Sequence, residues 1–244
     1  MHKSNLVITN RSRVPALLLV LASSTARTLL LLLCASLPFA LTVGADVDGD
    51  GLERELGAAL ALEANAVHGR DTYKACAVCH GPDAGGRPDG TFPRLAGQHA
   101  AVIMKQIVDM RTRRRENPIM HPYVQRLMDP QEIADVSGFV SALPPPAKIG
   151  TGPGTDLVLG ERLYNRDCQA CHGARGEGDA SRFIPSLAGQ HYGYLLRQIR
   201  EIGAGRRGNA HPEMQLLAAG YRDAELKALV DYASRVELTT RSEP

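Results

Sequence analysis

Two short stretches of this chain carry residue types that bind metals and add to carbon–carbon double bonds. They are "CAVCHG" at 76–81 and "CQACHG" at 168–173, ninety-two residues apart. In Cys-x-x-Cys-His, two thiols can add across the vinyl groups of one haem, and the histidine then lies under the iron as its proximal ligand. Other chemistries fit less well. A structural zinc site would use four thiolates or a Cys/His mixture, so it would have to bridge two separated elements and leave both histidines idle. A thioredoxin-like redox pair wants a βαβ setting, which is absent here. Two disulfides would suit an oxidising compartment, but each would close a tight two-residue loop and make the histidine a coincidence. The twofold recurrence selects haem c, with Cys76, Cys79 and His80 binding one group and Cys168, Cys171 and His172 the other.

An iron that only carries electrons takes a sixth ligand from the protein, and methionine raises its potential relative to a second histidine. After Cys171 there is a single methionine, Met214, 42 residues past His172. The first copy offers Met104, Met110, Met120 and Met128. Met104 and Met110 fall on an expected helix, where methionine more often fills core. Met128 stands beside the start of the next helix. Met120 lies in the loop "NPIMHP", 40 residues past His80, and is the repeat partner of Met214. The expected iron ligands are therefore His80 with Met120 and His172 with Met214. His121 and His211, each beside a proline in the same loops, are the rivals. His99 and His191 read as helix starts rather than ligands.

The elements that must position these residues are duplicated too. "PRLAGQH" at 93–99 matches "PSLAGQH" at 185–191, and "KQI" at 105–107 matches "RQI" at 197–199, all at the same offset of 92. "HAAVIMKQIVDM" and "HYGYLLRQIREI" predict a middle helix in each copy. Leu226, Leu229, Val230, Ala233 and Val236 recur at helical spacing. Asp129-Pro130-x-Glu132 reads as N-cap, N1 proline and N3 acid of the equivalent helix in the first copy. Short helices are expected before both cysteine elements, starting near Gly69 and Gly160. No stretch alternates as a strand should. "LPPPAKIGTGPGT" at 143–155 can form neither helix nor sheet interior and reads as a linker. The expected fold is all-α, with two tandem domains at 67–142 and 156–238. Neither has a tryptophan, and a bound group would fill each thin core.

Residues 1–45 hold Lys3, Arg11, Arg13 and Arg27, no acid, and the apolar run "LLLLLCASLPFALTV" at 29–43. That run is shorter than the about 20 residues of a membrane span. With small residues at Val43 and Ala45, it reads as a secretory signal cleaved after Ala45. An uncleaved anchor is the alternative. Cys34 would leave with the signal. The remainder carries 24 basic and 26 acidic side chains, which gives no reason to expect nucleic-acid binding. Residues 46–66 read as a flexible acidic lead. "DVDGDGLERELG" begins like a calcium loop, but Gly57 stands where the bidentate glutamate belongs. "RTRRRE" at 111–116 reads as a solvated helix end, with docking of an acidic partner as the sharper alternative.

The arrangement of CxxCHG, P-x-LAGQ-H, methionine and closing helix, present twice between about 67 and 237, resembles the dihaem cytochrome c4 family. Each half resembles a class I cytochrome c. The resemblance implies that Pro93 and Pro185 offer carbonyls to the imidazole N–H of His80 and His172, and that Gly69 and Gly160 let the first helix approach the last near Phe139 and Tyr232. Val102 departs from the pattern, which favours tyrosine as at Tyr194, and predicts lost hydrogen bonding near the first haem. The function implied is a periplasmic electron carrier rather than an enzyme, with two covalent haem c groups. Its partners would be redox proteins: a cytochrome reductase or dehydrogenase as donor, and a terminal oxidase or reductase as acceptor. Peripheral membrane association stays open. The alternative is the haem subunit of a periplasmic dehydrogenase complex such as a flavocytochrome. A dihaem catalyst would need an open iron or a spare thiol, and all four remaining cysteines are committed.

Overall fold

The computed structural model describes residues 47–236, so the proposed signal segment and residues 237–238 lie outside it. Ten helices form among the described residues: α1 Val47–Leu60, α2 Ala66–His80, α3 Ala100–Arg111, α4 His121–Val124, α5 Pro130–Ala142, α6 Leu157–Asp167, α7 Gln169–His172, α8 Tyr192–Gly203, α9 Pro212–Ala219 and α10 Asp223–Arg235. Among them no strand appears, only an isolated bridge between Asp179 and Ile184. No described helix is long and apolar enough to cross a membrane.

In each half the first and last helices cross at a glycine. A Cβ built on Gly69 of α2 would stand 2.1 Å from the Asp135 carbonyl oxygen and 2.9 Å from Cβ of Phe139. On Gly160 of α6 it would meet the Ala228 oxygen at 2.1 Å and Cβ of Tyr232 at 2.9 Å. Only a residue without a side chain permits this approach. Tyr73 then packs on Phe139, and Tyr164 on Tyr232, each with ring centroids 5.6 Å apart. The tyrosine hydroxyls donate to Gly81 O and Gly173 O, both at 2.8 Å. α3 closes the first core with Ile103, Ile107 and Val108, and α8 closes the second with Leu195, Leu196 and Ile199. Asp129 caps α5, its carboxylate accepting from Glu132 N–H at 2.9 Å, as the sequence predicts.

The expectation of a flexible lead over 46–66 is corrected. Residues 47–60 form α1, and Leu52, Leu56 and Ala59 recur at helical spacing and join the first core. Glu55 pairs with Arg111 at 2.8 Å. The acidic composition hid an apolar stripe, and the backbone of the calcium-like segment is helical from Val47. The "RTRRRE" run is not simply solvated either. Arg111 also donates to the Val124 and Leu127 carbonyls, and Arg115 is buried against the second half.

Candidate functional site

α2 carries Cys76, Cys79 and His80 on its last turn and stops because Gly81 turns the chain at φ +80°. Its counterpart breaks at Cys168 and resumes as α7, ending at Gly173 with φ +82°. The four thiols are free: Cys168 is buried, Cys76 and Cys79 are half-buried, and Cys171 is exposed. Burial pushes the Cys76 thiol up, and Cys168 up to about 12, with Asp167 adding to the latter.

Both imidazoles are buried and oriented the same way. His80 donates its Nδ1–H to Pro93 O at 3.0 Å, and His172 to Pro185 O at 3.0 Å. That bond fixes the tautomer and leaves Nε2 with a free lone pair, as an outer partner does for a metal-binding histidine. Burial holds both rings below the ordinary histidine pKa, against the pull of the proline carbonyls, so the neutral form prevails. His80 Nε2 is buried with no partner among the protein atoms. It belongs to a cleft lined by Ala75, Cys76, Cys79, His80, Phe92, Ile119, Met120 and Tyr123. Two thiols, an orphaned imidazole nitrogen and a thioether around one apolar cleft fit an iron porphyrin attached at both cysteines.

Met214 is half-buried against the second core. Met104 and Met110 are core residues of α3, while Met128 is 80% exposed on the outside. The rival histidines are otherwise occupied: His121 bonds Met110 O and Arg113, and His211 is exposed near Glu213. His99 and His191 stand at the N-caps of α3 and α8.

Sequence reasoning missed what the "GQH" segments do. Gln98 accepts from Ser186 N–H at 2.9 Å and donates to Ser186 O at 3.0 Å. Gln190 accepts from Arg94 N–H at 2.9 Å and donates to Arg94 O at 2.9 Å. His99 Nε2 reaches Glu177 O, and His191 Nε2 reaches Gly85 O, both at 2.7 Å. The repeat is thus also a pseudo-twofold interface, and each glutamine grips the residue next to the proline that orients the opposite histidine. The available signal was a polar Gln-His pair kept in both copies without a local job. Val102 is buried and has no hydroxyl, whereas Tyr194 accepts from Arg115 across the interface at 3.1 Å. Burial alone would raise the Tyr194 phenol, but Arg115, Arg207 and Arg197 pull it below its ordinary value.

A model of the cytochrome c family matches residues 66–144 and again 157–236. The thiosulfate dehydrogenase electron acceptor of Stutzerimonas stutzeri (strain A1501) is 36% identical over 197 residues, covering 72% of this chain and 90% of that protein. Cytochrome c4 of Thiocapsa roseopersicina is 33% identical over 168 residues, covering 64% of this chain and 84% of that one. The solved thiosulfate dehydrogenase TsdBA of Marichromatium purpuratum superposes with a TM-score of 0.64 at 32% identity, over 73% of this chain and 42% of that chain.

Proposed function

This chain belongs to the cytochrome c family, in its two-domain cytochrome c4 form, and we propose that it carries single electrons in the periplasm, exported by a signal cleaved after Ala45. It binds two haem c groups covalently and exchanges electrons with redox protein partners. Cys76 and Cys79 would hold one group, with His80 and Met120 on its iron. Cys168 and Cys171 would hold the other, with His172 and Met214. The observation that carries this reading is the cleft in which the orphaned His80 Nε2, both thiols and Met120 meet.

Each haem supplies a one-electron iron couple; the protein supplies binding and environment. Pro93 and Pro185 lock the imidazoles so that no proton need move at Nε2. Phe92, Ile119 and Tyr123 wall the first cleft with carbon and limit water. With Met120 and Met214 each completing its iron's ligand set, no position would remain for peroxide or a sulfur anion, and the chemistry would be outer-sphere.

A second reading makes the chain the dedicated acceptor of a thiosulfate-oxidising dehydrogenase. The name of the Stutzerimonas stutzeri relative favours it. Oxidised protein should show the near-infrared methionine–iron band, with Met120→Ala and Met214→Ala each removing about half of it. Loss on Met128→Ala instead would overturn the ligand assignment. Thiosulfate with a purified thiosulfate dehydrogenase should reduce the protein, and thiosulfate alone should not. Turnover of thiosulfate by this chain alone would overturn the carrier reading. Copurification with a catalytic subunit would select the second reading.

A further inference from the structure

The two halves differ at one buried position of the interface. Where the second carries Ser186, whose hydroxyl stays within its own domain on Gly176 O, the first carries Arg94. Arg94 is 1% exposed. Its Nη2 donates across the interface to Ala188 O at 2.7 Å, while Nε and Nη1 find no acceptor among the protein atoms. No ion pair with a described carboxylate is formed. The guanidinium lies at the junction of both LAGQ loops: a Cβ on Gly97 would stand 3.7 Å from Nη1, and one on Gly189 3.9 Å from Cζ.

We propose that Arg94 is a sealed positive charge, shared by the two domains, that raises the reduction potentials of both haems. Burial lowers its pKa to about 10, so it stays charged at neutral pH. A fixed cation in a poorly polarisable interior acts over longer distances than one in water. It disfavours the ferric iron, which carries one more positive charge than the ferrous. Arg94 directly follows Pro93, whose carbonyl holds His80, and its guanidinium touches Ala188, three residues past Pro185, whose carbonyl holds His172. The charge is thus tied to the segments that orient both histidines. Arg94 is a positioning residue in the electrostatic sense and touches no reacting atom. The proposal rests on the axial assignment of His80 and His172.

The test is a spectroelectrochemical titration of the holoprotein and three variants. Arg94→Gln keeps an amide donor and removes the charge. Both reduction equilibria should fall about tenfold, which is about 59 mV for one electron. Arg94→Lys should hold both within about threefold, and so should Gln190→Ala, which cuts the bridge but leaves the charge. If Arg94→Gln fails to fold, Arg94→Ser is read in its place, since the second domain already tolerates serine there. An unchanged pair of potentials in the charge-free variant, or a shift confined to one haem, overturns the proposal. Equal shifts in the Lys and Gln variants also overturn it, because geometry rather than charge would then be responsible. A wild-type haem content other than two per chain counts against attachment at the two Cys-x-x-Cys-His elements, on which the axial assignment depends, and is read separately.

Discussion

The two domains orient their histidines by the same means and brace their frames by different ones. The His–proline bonds, the glycine crossings and the tyrosine–glycine bonds agree to 0.1 Å between them. The supports differ. Asp135 of α5 is buried and accepts from Asn65 N–H at 2.7 Å, from Gln131 at 2.7 Å and from His68 at 2.5 Å. Ala228 takes its place in α10, and the second domain's buried carboxylate is Asp231, three residues on, which accepts from Gly154 N–H at 2.6 Å and pairs with Arg235 at 2.8 Å. One carboxylate leans on a histidine and the other on an arginine. The first domain also has α1, with no described equivalent in the second. Duplication has held fixed whatever sets an imidazole in place, while the outer braces have diverged.

The largest test of this comparison is the crossing glycine. Gly69→Ala and Gly160→Ala each force a methyl into a carbonyl 2.1 Å away, and each should cost its domain about 3 kcal/mol. Denaturant unfolding followed at both haem bands should show equal losses; unequal ones would break the likeness of the two frames. Leu52→Ala should sharpen the difference. It removes a buried anchor of α1 and should cost the first domain about 2–3 kcal/mol, leaving the second domain's transition unmoved.

Smaller effects are expected at the helix starts. Asn65 caps α2 by accepting from Val67 N–H and His68 N–H, both at 3.0 Å, whereas Asp156 makes no such bond at α6. Asn65→Ala should cost about 1 kcal/mol, and Asp156→Ala close to nothing, by the same denaturation assay.

The smallest expected effect is in pH. The hydrogen bond to Asp135, with the charges of Asp135, Glu132 and Asp129, raises the His68 pKa against an opposing desolvation. The folded value thus lies above the unfolded value of about 6.5. The contribution is complete below that pH and is lost as pH rises through the raised value. The first domain's unfolding midpoint should fall over that window, and His68→Gln should flatten the fall. A matching fall in the second domain, where Asp231 pairs with Arg235 and not with a histidine, would refute the assignment.

Most of the candidate site was legible because thiols, imidazoles and thioethers declare their chemistry by type, and the repeat aligned them. Met120 was separable from Met128 only by that alignment. The crossing glycines and the Pro93 and Pro185 carbonyls followed from resemblance. α1 was missed because its acidic face and its likeness to a calcium loop outweighed three apolar residues. Gln98 and Gln190 were missed for a different reason. They bond to backbone, and a backbone acceptor has no sequence signature at the far end. Arg94 looked like one arginine among many, since nothing in a linear chain marks a charge for burial between two domains.

Each interfacial glutamine satisfies both the N–H and the C=O of one residue in the other domain, as a neighbouring strand would. Sliding the domains by one residue would break all four bonds together, so their register is all-or-none. An electron on one domain therefore meets the other at a separation set by the chain rather than by concentration. Passage between the halves is first order, while arrival from a donor is second order. Dilution therefore slows loading but leaves passage between the halves unchanged, because only the first step waits on an encounter.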